Sequence, residues 1–312
     1  MISARDTLQY QIATGRLTLP VAILLSLLTG GILCQSWTHV LSLVIGVLIT
    51  GLMIEMNTTF ALIRTRSTLP PALFLITFFL CPFLYSYSAE SWFPLLFAGM
   101  LSSLFRSYES RYNSSSIFHA FLLIGIGSWI LPSCLFFVPF LYLHMIGLRS
   151  LSPRTFFAGM VGLSLPYWFM LCYGTYNGEP DFILTPFRQL GQDWIPDYST
   201  LTLSQCISWG VFFLLAVISS IQNFQVSRQD KVQTRIMIQS LRFTGIEVML
   251  LMLWQPQHFN ALFPILIMIG AIMHGHLFAL LFNRFTRYYF LCMLLLTLFA
   301  GIFNIWMHFF NS

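Results

Sequence analysis

Charge is what this chain has least of. Asp, Glu, Lys and Arg make up 8% of its 312 residues, where a soluble domain carries roughly 25%. With 57% of the residues hydrophobic and 17% aromatic, too few polar side chains remain to hydrate a globular surface, and a soluble fold is excluded. No Gly-rich phosphate loop, Walker element, GxSxG or HExxH occurs, which argues against soluble-type ATP chemistry. The 6 cysteines form no CxxC pair and no zinc spacing. Cys34, Cys134, Cys172 and Cys206 fall near the ends of apolar segments and read as small packing residues, with a disulfide between two of them open if that face is oxidising. The net charge is +5, but the arginines punctuate apolar runs instead of clustering, which points to membrane orientation and away from nucleic acid. There is no repeat, low-complexity tract or soluble appendage.

What is present is apolar sequence in runs of membrane length. A transmembrane helix needs about 20 such residues, and candidate spans fall at 18–35, 39–57, 70–88, 91–106, 117–131, 134–149, 155–175, 202–222, 240–255, 258–282 and 288–310. The expected fold is an all-α, polytopic transmembrane helix bundle of about eleven spans, one integral membrane domain over 1–312. The count falls to nine if the short runs 117–131 and 134–149 dip without crossing. With the N-terminus in the cytoplasm, 14 of the 15 Lys and Arg residues lie on the cytoplasmic side, only Arg188 outside, and the C-terminus outside. Residues 1–17 hold Arg5, Asp6 and Arg16 without a compact apolar core before a small-residue cleavage site, and read as a cytoplasmic amphipathic N-terminus, not a signal peptide.

Residues 117–149 organise this map. They read as a membrane hairpin of two short helices hinged at 129–133, uncharged between Arg111 and Arg149, with His119 and His144 expected near one membrane face. Two loops are long. The outer one, 176–201, carries Ile183, Phe187, Leu190 and Trp194 at helical spacing, which suits a helix on the outer interface. The inner one, 223–239, reads as a solvated cytoplasmic connector.

Ionisable residues within a bilayer cost several kcal/mol unless paired or hydrated, so each is a site candidate. Here they are Glu55 with its neighbour Asn57, His119, His144, Glu247, His274 and His276, all placed toward the inner side, with Glu247 about two turns into its span. A cytoplasm-facing vestibule built from them could exchange protons near neutral pH, as a proton-coupled transporter requires. Alternatively it could hold a lipid or sugar phosphate, with Arg64, Arg66, Arg106 and Arg111 as anion partners. Structural hydrogen bonding is the plainer reading of each histidine; Glu247, in an otherwise apolar stretch, is the sharpest candidate. His274 and His276 are two residues apart, so their rings splay and no metal site is expected. In the outer loop Glu179, Asp181, Asp193 and Asp197 could supply a catalytic carboxylate for glycosyl transfer from a lipid-linked donor, against the plainer reading that they solvate the loop.

The order Asn57, Arg64, Arg66, then Leu104-Phe105-Arg106-Ser107-Tyr108-Glu109-Ser110, then Ile117-Phe118-His119-Ala120-Phe121-Leu122-Leu123-Ile124-Gly125-Ile126-Gly127-Ser128, resembles an uncharacterised multispan inner-membrane protein family of Bacteroidota. The resemblance covers roughly residues 40–175. It implies the bacterial inner membrane, and no activity. The layout is also similar in outline to polyprenol-phosphate-dependent glycosyltransferases and glycan polymerases, although residues 35–38, the first outer loop, lack the acidic residue those enzymes carry there.

These readings lead to an inner-membrane protein of envelope biogenesis that handles a lipid-linked or glycan precursor, by glycosyl transfer or as a partner of such an enzyme. The expected partners are the lipid bilayer, a polyprenyl-phosphate lipid and other membrane proteins; no cofactor is implied. The alternatives are a proton-coupled transporter using Glu247 and the membrane histidines, and a non-catalytic subunit of a membrane complex.

Overall fold

The structure, a computed structural model, describes residues 8–65, 67–192, 194–226 and 229–311. Among them are thirteen α-helices and no strand. They are α1 (Leu8–Thr14), α2 (Thr18–Leu33), α3 (Trp37–Phe60), α4 (Leu69–Phe79), α5 (Phe93–Phe105), α6 (Ser114–Ile130), α7 (Phe137–Gly147), α8 (Pro153–Tyr176), α9 (Thr185–Gln192), α10 (Leu203–Val226), α11 (Val232–Trp254), α12 (Phe259–Leu280) and α13 (Arg284–Asn311). Six of these, α3, α8 and α10 to α13, are long and apolar enough to cross a membrane, or seven spans if α1 and α2, bent by 85° at their junction, count as one. Each expected span finds a helix, but α4, α5 and α7 have only 11, 13 and 11 residues. At 1.5 Å per residue they reach about 16–20 Å, short of a hydrocarbon core of about 30 Å.

Side-chain contacts sort the connections to two ends of the bundle. At one end Glu55 pairs with Arg106, Ser152 donates to the Arg111 carbonyl, Arg64 donates to Gln229, and Gln9 donates to the Leu281 carbonyl. At the other His39 packs on Tyr85, Glu90 meets His258, Phe136 packs on Trp254, and the Asp197 amide donates to Gln257. Helices α2 to α8 and α10 to α13 therefore alternate between the ends.

The core is α12. It is apolar on every side, which a helix tolerates only when surrounded, and 94% of its apolar stretch is buried, against 28–50% for the other long helices. It packs on α4, α5, α10 and α11. A side chain at Gly275 would place Cβ 2.3 Å from Pro70, so this glycine lets α4 approach. The N-terminal helix closes one end of α12: Gln9, buried, donates to the carbonyls of Phe278 and Leu281, two of the groups that a helix C-terminus leaves unpaired.

Three sequence expectations change. The 117–149 stretch is two helices joined by the 3-10 turn Pro132–Phe136, but its arms have different partners: α6 packs on α5 and α8, and α7 on α11. The α6–α8 contact is made by small residues, since Cβ at Gly162 would fall 2.4 Å from the Phe118 carbonyl oxygen. The inner connector shrinks from 223–239 to the link between Val226 and Val232, because polar residues such as Asn223 and Thr234 donate to the carbonyls of Met273 and Ala61 and both helices continue. The outer interfacial helix is broken: a 3-10 turn, Pro180–Leu184, precedes the eight-residue α9, Pro186 falling in its first turn. The loop beyond α9 lies on the bundle, with Trp194 against Trp254 at 4.7 Å and the Tyr198 hydroxyl donating to the Leu253 carbonyl.

Candidate functional site

Ser240, Thr244 and Glu247 recur at i, i+4 and i+7 of α11, so they form one stripe of that helix. Helix α7 meets the stripe at His144. The imidazole Nε2 is 3.0 Å from Glu247 Oε1 and 3.3 Å from Oε2, and Nδ1 is 2.8 Å from Ser240 Oγ. Thr244 Oγ1, which donates to the Ser240 carbonyl, approaches Nε2 at 3.3 Å. Only 6% of the His144 side chain and 11% of that of Glu247 is exposed. A serine hydroxyl donates to an unprotonated ring nitrogen and accepts from a protonated one. The cluster therefore joins a carboxylate, an imidazole and two hydroxyls in one hydrogen-bonded group. Beside it runs a groove of about 370 Å³, walled by Phe140 and Leu143 of α7 and Phe243, Ile246 and Leu250 of α11. Because α11 begins at Val232, Glu247 lies 15 residues along it, about four turns, not two.

The other candidates do not join this cluster, so the single inner vestibule is replaced by separate pairs. Glu55 binds Arg106 at 2.8 Å with both side chains about half exposed. The Asn57 amide donates to the Ser67 carbonyl. His119 is exposed on α6. His274 and His276 bond in different directions: His274 contacts the Gly270 carbonyl and, at 2.8 Å, the hydroxyl of Tyr289 on α13, with no carboxylate partner among the described residues. His276, fully buried, has Asn223 Oδ1 at 2.6 Å from Nδ1 and Asp230 Oδ2 at 2.9 Å from Nε2. Both ring nitrogens face acceptors, because the Asn223 amide nitrogen is occupied by the carbonyls of Ser219 and Met273.

Two of the four anion partners are engaged. Arg64 donates to Gln229 and lies 3.9 Å from Asp230, Arg106 holds Glu55, and Arg111 is exposed; Arg66 lies outside the described residues. In the outer loop Asp181 pairs with Arg188 at 3.4 Å on the surface, and Glu179 is exposed. Asp197 accepts from the Ser199 hydroxyl at 2.6 Å and its amide at 3.0 Å. These bonds hold its carboxyl below the ordinary aspartate value, the hydroxyl contributing most. Asp193 lies outside the described residues, and the remaining three carboxylates form no group of acids. No three of His, Cys, Asp and Glu among the described residues gather as metal ligands, and all six cysteines are free.

Sequence reasoning passed over Ser240, Thr244, Asp230 and Asn223. The i, i+4, i+7 spacing of Ser240, Thr244 and Glu247 was a usable signal; the pairing of Asp230 with His276 had none, since it depends on how α10, α12 and the link before α11 meet. No protein-family model, curated protein or solved structure matches the chain.

Proposed function

We propose that this chain is a multi-pass protein of the bacterial inner membrane, acting in envelope biogenesis on a lipid-linked or glycan precursor at the α7–α11 groove. The observation that carries the reading is the His144–Glu247 pair with Ser240, an acid–base group opening on an apolar groove. Such a groove admits the chain of an amphiphile while the pair serves its polar end. The outer carboxylates lose weight in this reading, since Asp181 and Asp197 are engaged locally. We place the N-terminus in the cytoplasm and the C-terminus outside, with about eleven crossings. The alternation of eleven helices between two ends supports this, as does the collection of Arg64, Arg106, Arg149 and Lys231 on connections at one end.

Mass spectrometry of the protein purified in mild detergent tests the reading. A polyprenyl phosphate or lipid-linked saccharide is expected at stoichiometric level above bulk phospholipid, and lost in Glu247→Ala. Its absence from a preparation that keeps ordinary phospholipid would overturn it.

Proton-coupled transport is the second reading, favoured by the same carboxylate–imidazole pair lying well inside a helix long and apolar enough to cross a membrane. In liposomes, substrate-dependent proton uptake abolished by Glu247→Gln would select it.

A further inference from the structure

A second groove lies on the neighbouring stripe of α11. Helices α10 and α11 both pack on α12 and splay apart above it, leaving a space of about 930 Å³. Its walls are apolar, with Phe213 and Val217 on α10 and Met249 and Leu253 on α11. Its floor is open at Gly270, where an added Cβ would meet no atom within 4 Å. One end alone is polar. Arg235, Gln239 and Arg242 stand there at i, i+4 and i+7, with Ser220 opposite on α10.

Arg242 is the informative residue. It lies ten residues into α11, about 15 Å along its axis, in a helix long and apolar enough to cross a membrane. Arginine at such a position is rare and ordinarily neutralised. Here its guanidinium lies over the Phe224 ring, 5.6 Å from the centroid, and no carboxylate among the described residues is within ion-pair distance of Arg242 or of Arg235. A ring face polarises toward a cation but does not cancel its charge. Two cations on one stripe at the head of an apolar, laterally open groove have the charge pattern of a lipid with a phosphate head.

We infer that the α10–α11 groove is a binding site for one anionic, phosphate-headed membrane lipid, its chains along Phe213, Val217 and Leu253 and its phosphate held by Arg242 and Arg235. The guanidinium offers a planar fork to two phosphate oxygens, and Gln239 and Ser220 supply further donors. The ridge of Phe243, Ile246 and Leu250 separates this groove from the one beside His144, lining both. The site is therefore distinct from the acid–base pair and stands whether or not that pair acts on a substrate.

The test uses the full chain in mild detergent, offered equal amounts of dioleoyl phosphatidic acid and dioleoyl phosphatidylcholine, with retained lipid counted by native mass spectrometry. The wild-type protein is expected to keep phosphatidic acid over phosphatidylcholine by roughly tenfold, the lower end of what a charge-assisted contact supplies. Arg242→Gln should bring the ratio near unity, and inorganic phosphate should not compete. Gly270→Leu, which fills the floor without meeting an existing atom at Cβ and replaces a poor helix former, should abolish retention of both. Equal retention of the two lipids by the wild-type protein overturns the inference. So does an Arg242→Gln protein of unchanged melting temperature with wild-type selectivity. Should Arg242→Gln not fold, the wild-type ratio and Gly270→Leu decide.

Discussion

His144 Nε2 stands 3.0 Å from Glu247 Oε1, joining two helices whose residues are 103 positions apart in the chain. With little of either side chain exposed, Glu247 relies on His144 for its polar contact, and His144 on Glu247, Ser240 and Thr244. Glu247→Ala should leave the imidazole without its acid and lower stability by about 3–5 kcal/mol, the usual cost of removing one partner of a buried pair. Glu247→Gln keeps a hydrogen-bond acceptor and should cost less than half as much. Detergent melting curves of the two variants check this order; equal losses would mean that the charge is irrelevant to the contact.

The Asp230–His276 contact predicts a strong coupling. Both side chains are at most 1% exposed, and Arg64 lies 3.9 Å from the same carboxylate. A double-mutant cycle with Asp230→Asn and His276→Gln should return an interaction of at least about 1 kcal/mol, as contacting groups in one network do. The corresponding cycle between Asp230 and His274 should return almost none, because His274 bonds toward Gly270 and Tyr289.

For Asp197 the sign follows from its lowered carboxyl value. The bonds from Ser199 favour the ionised form, so their contribution is complete above the ordinary aspartate value and is lost as pH falls through the folded one. Limited proteolysis within 176–201 should therefore accelerate below about pH 4, where an unperturbed aspartate protonates. Asp197→Asn should remove that pH dependence without affecting handling of a lipid substrate. Loss of activity in Asp197→Asn would return the outer loop to the candidate site.

Gly162 controls the approach of α6 and α8. A Cβ there would lie 2.4 Å from the Phe118 carbonyl oxygen, which is backbone and can yield only if the helices separate. Gly162→Val should cost at least about 2 kcal/mol, the range of overpacked cores, whereas Gly51→Val, with nothing within 4 Å of the added Cβ, should cost well under 1 kcal/mol in a lipid-facing setting. Melting temperatures in one detergent compare them directly.

Where the apolar runs lie was legible without coordinates, and so was the helical character, because burying a backbone in apolar surroundings requires that its polar groups be satisfied within each segment. Each of the eleven runs became a helix. Ends were less legible. Asn223 and Thr234 looked like loop residues by polarity alone, yet α10 runs to Val226 and α11 starts at Val232, because those side chains donate to the carbonyls of Met273 and Ala61. That extension puts Arg242, the third residue of the expected span 240–255, ten residues into α11.

The sequence by itself determined that Glu247, His274 and His276 lie within apolar runs, where each needs a polar partner. Which of them meet was decided only by tertiary structure. Hydropathy and charge patterns fix a helix's length and depth but not its rotation or its neighbours. His119 and His144, similar in sequence context, therefore ended differently, one exposed on α6 and the other pressed against α11. Small residues settled the rest, since Gly162 and Gly275 let particular helices touch and Gly270 left a groove open, and contacts of that kind depend on side chains far apart in the chain.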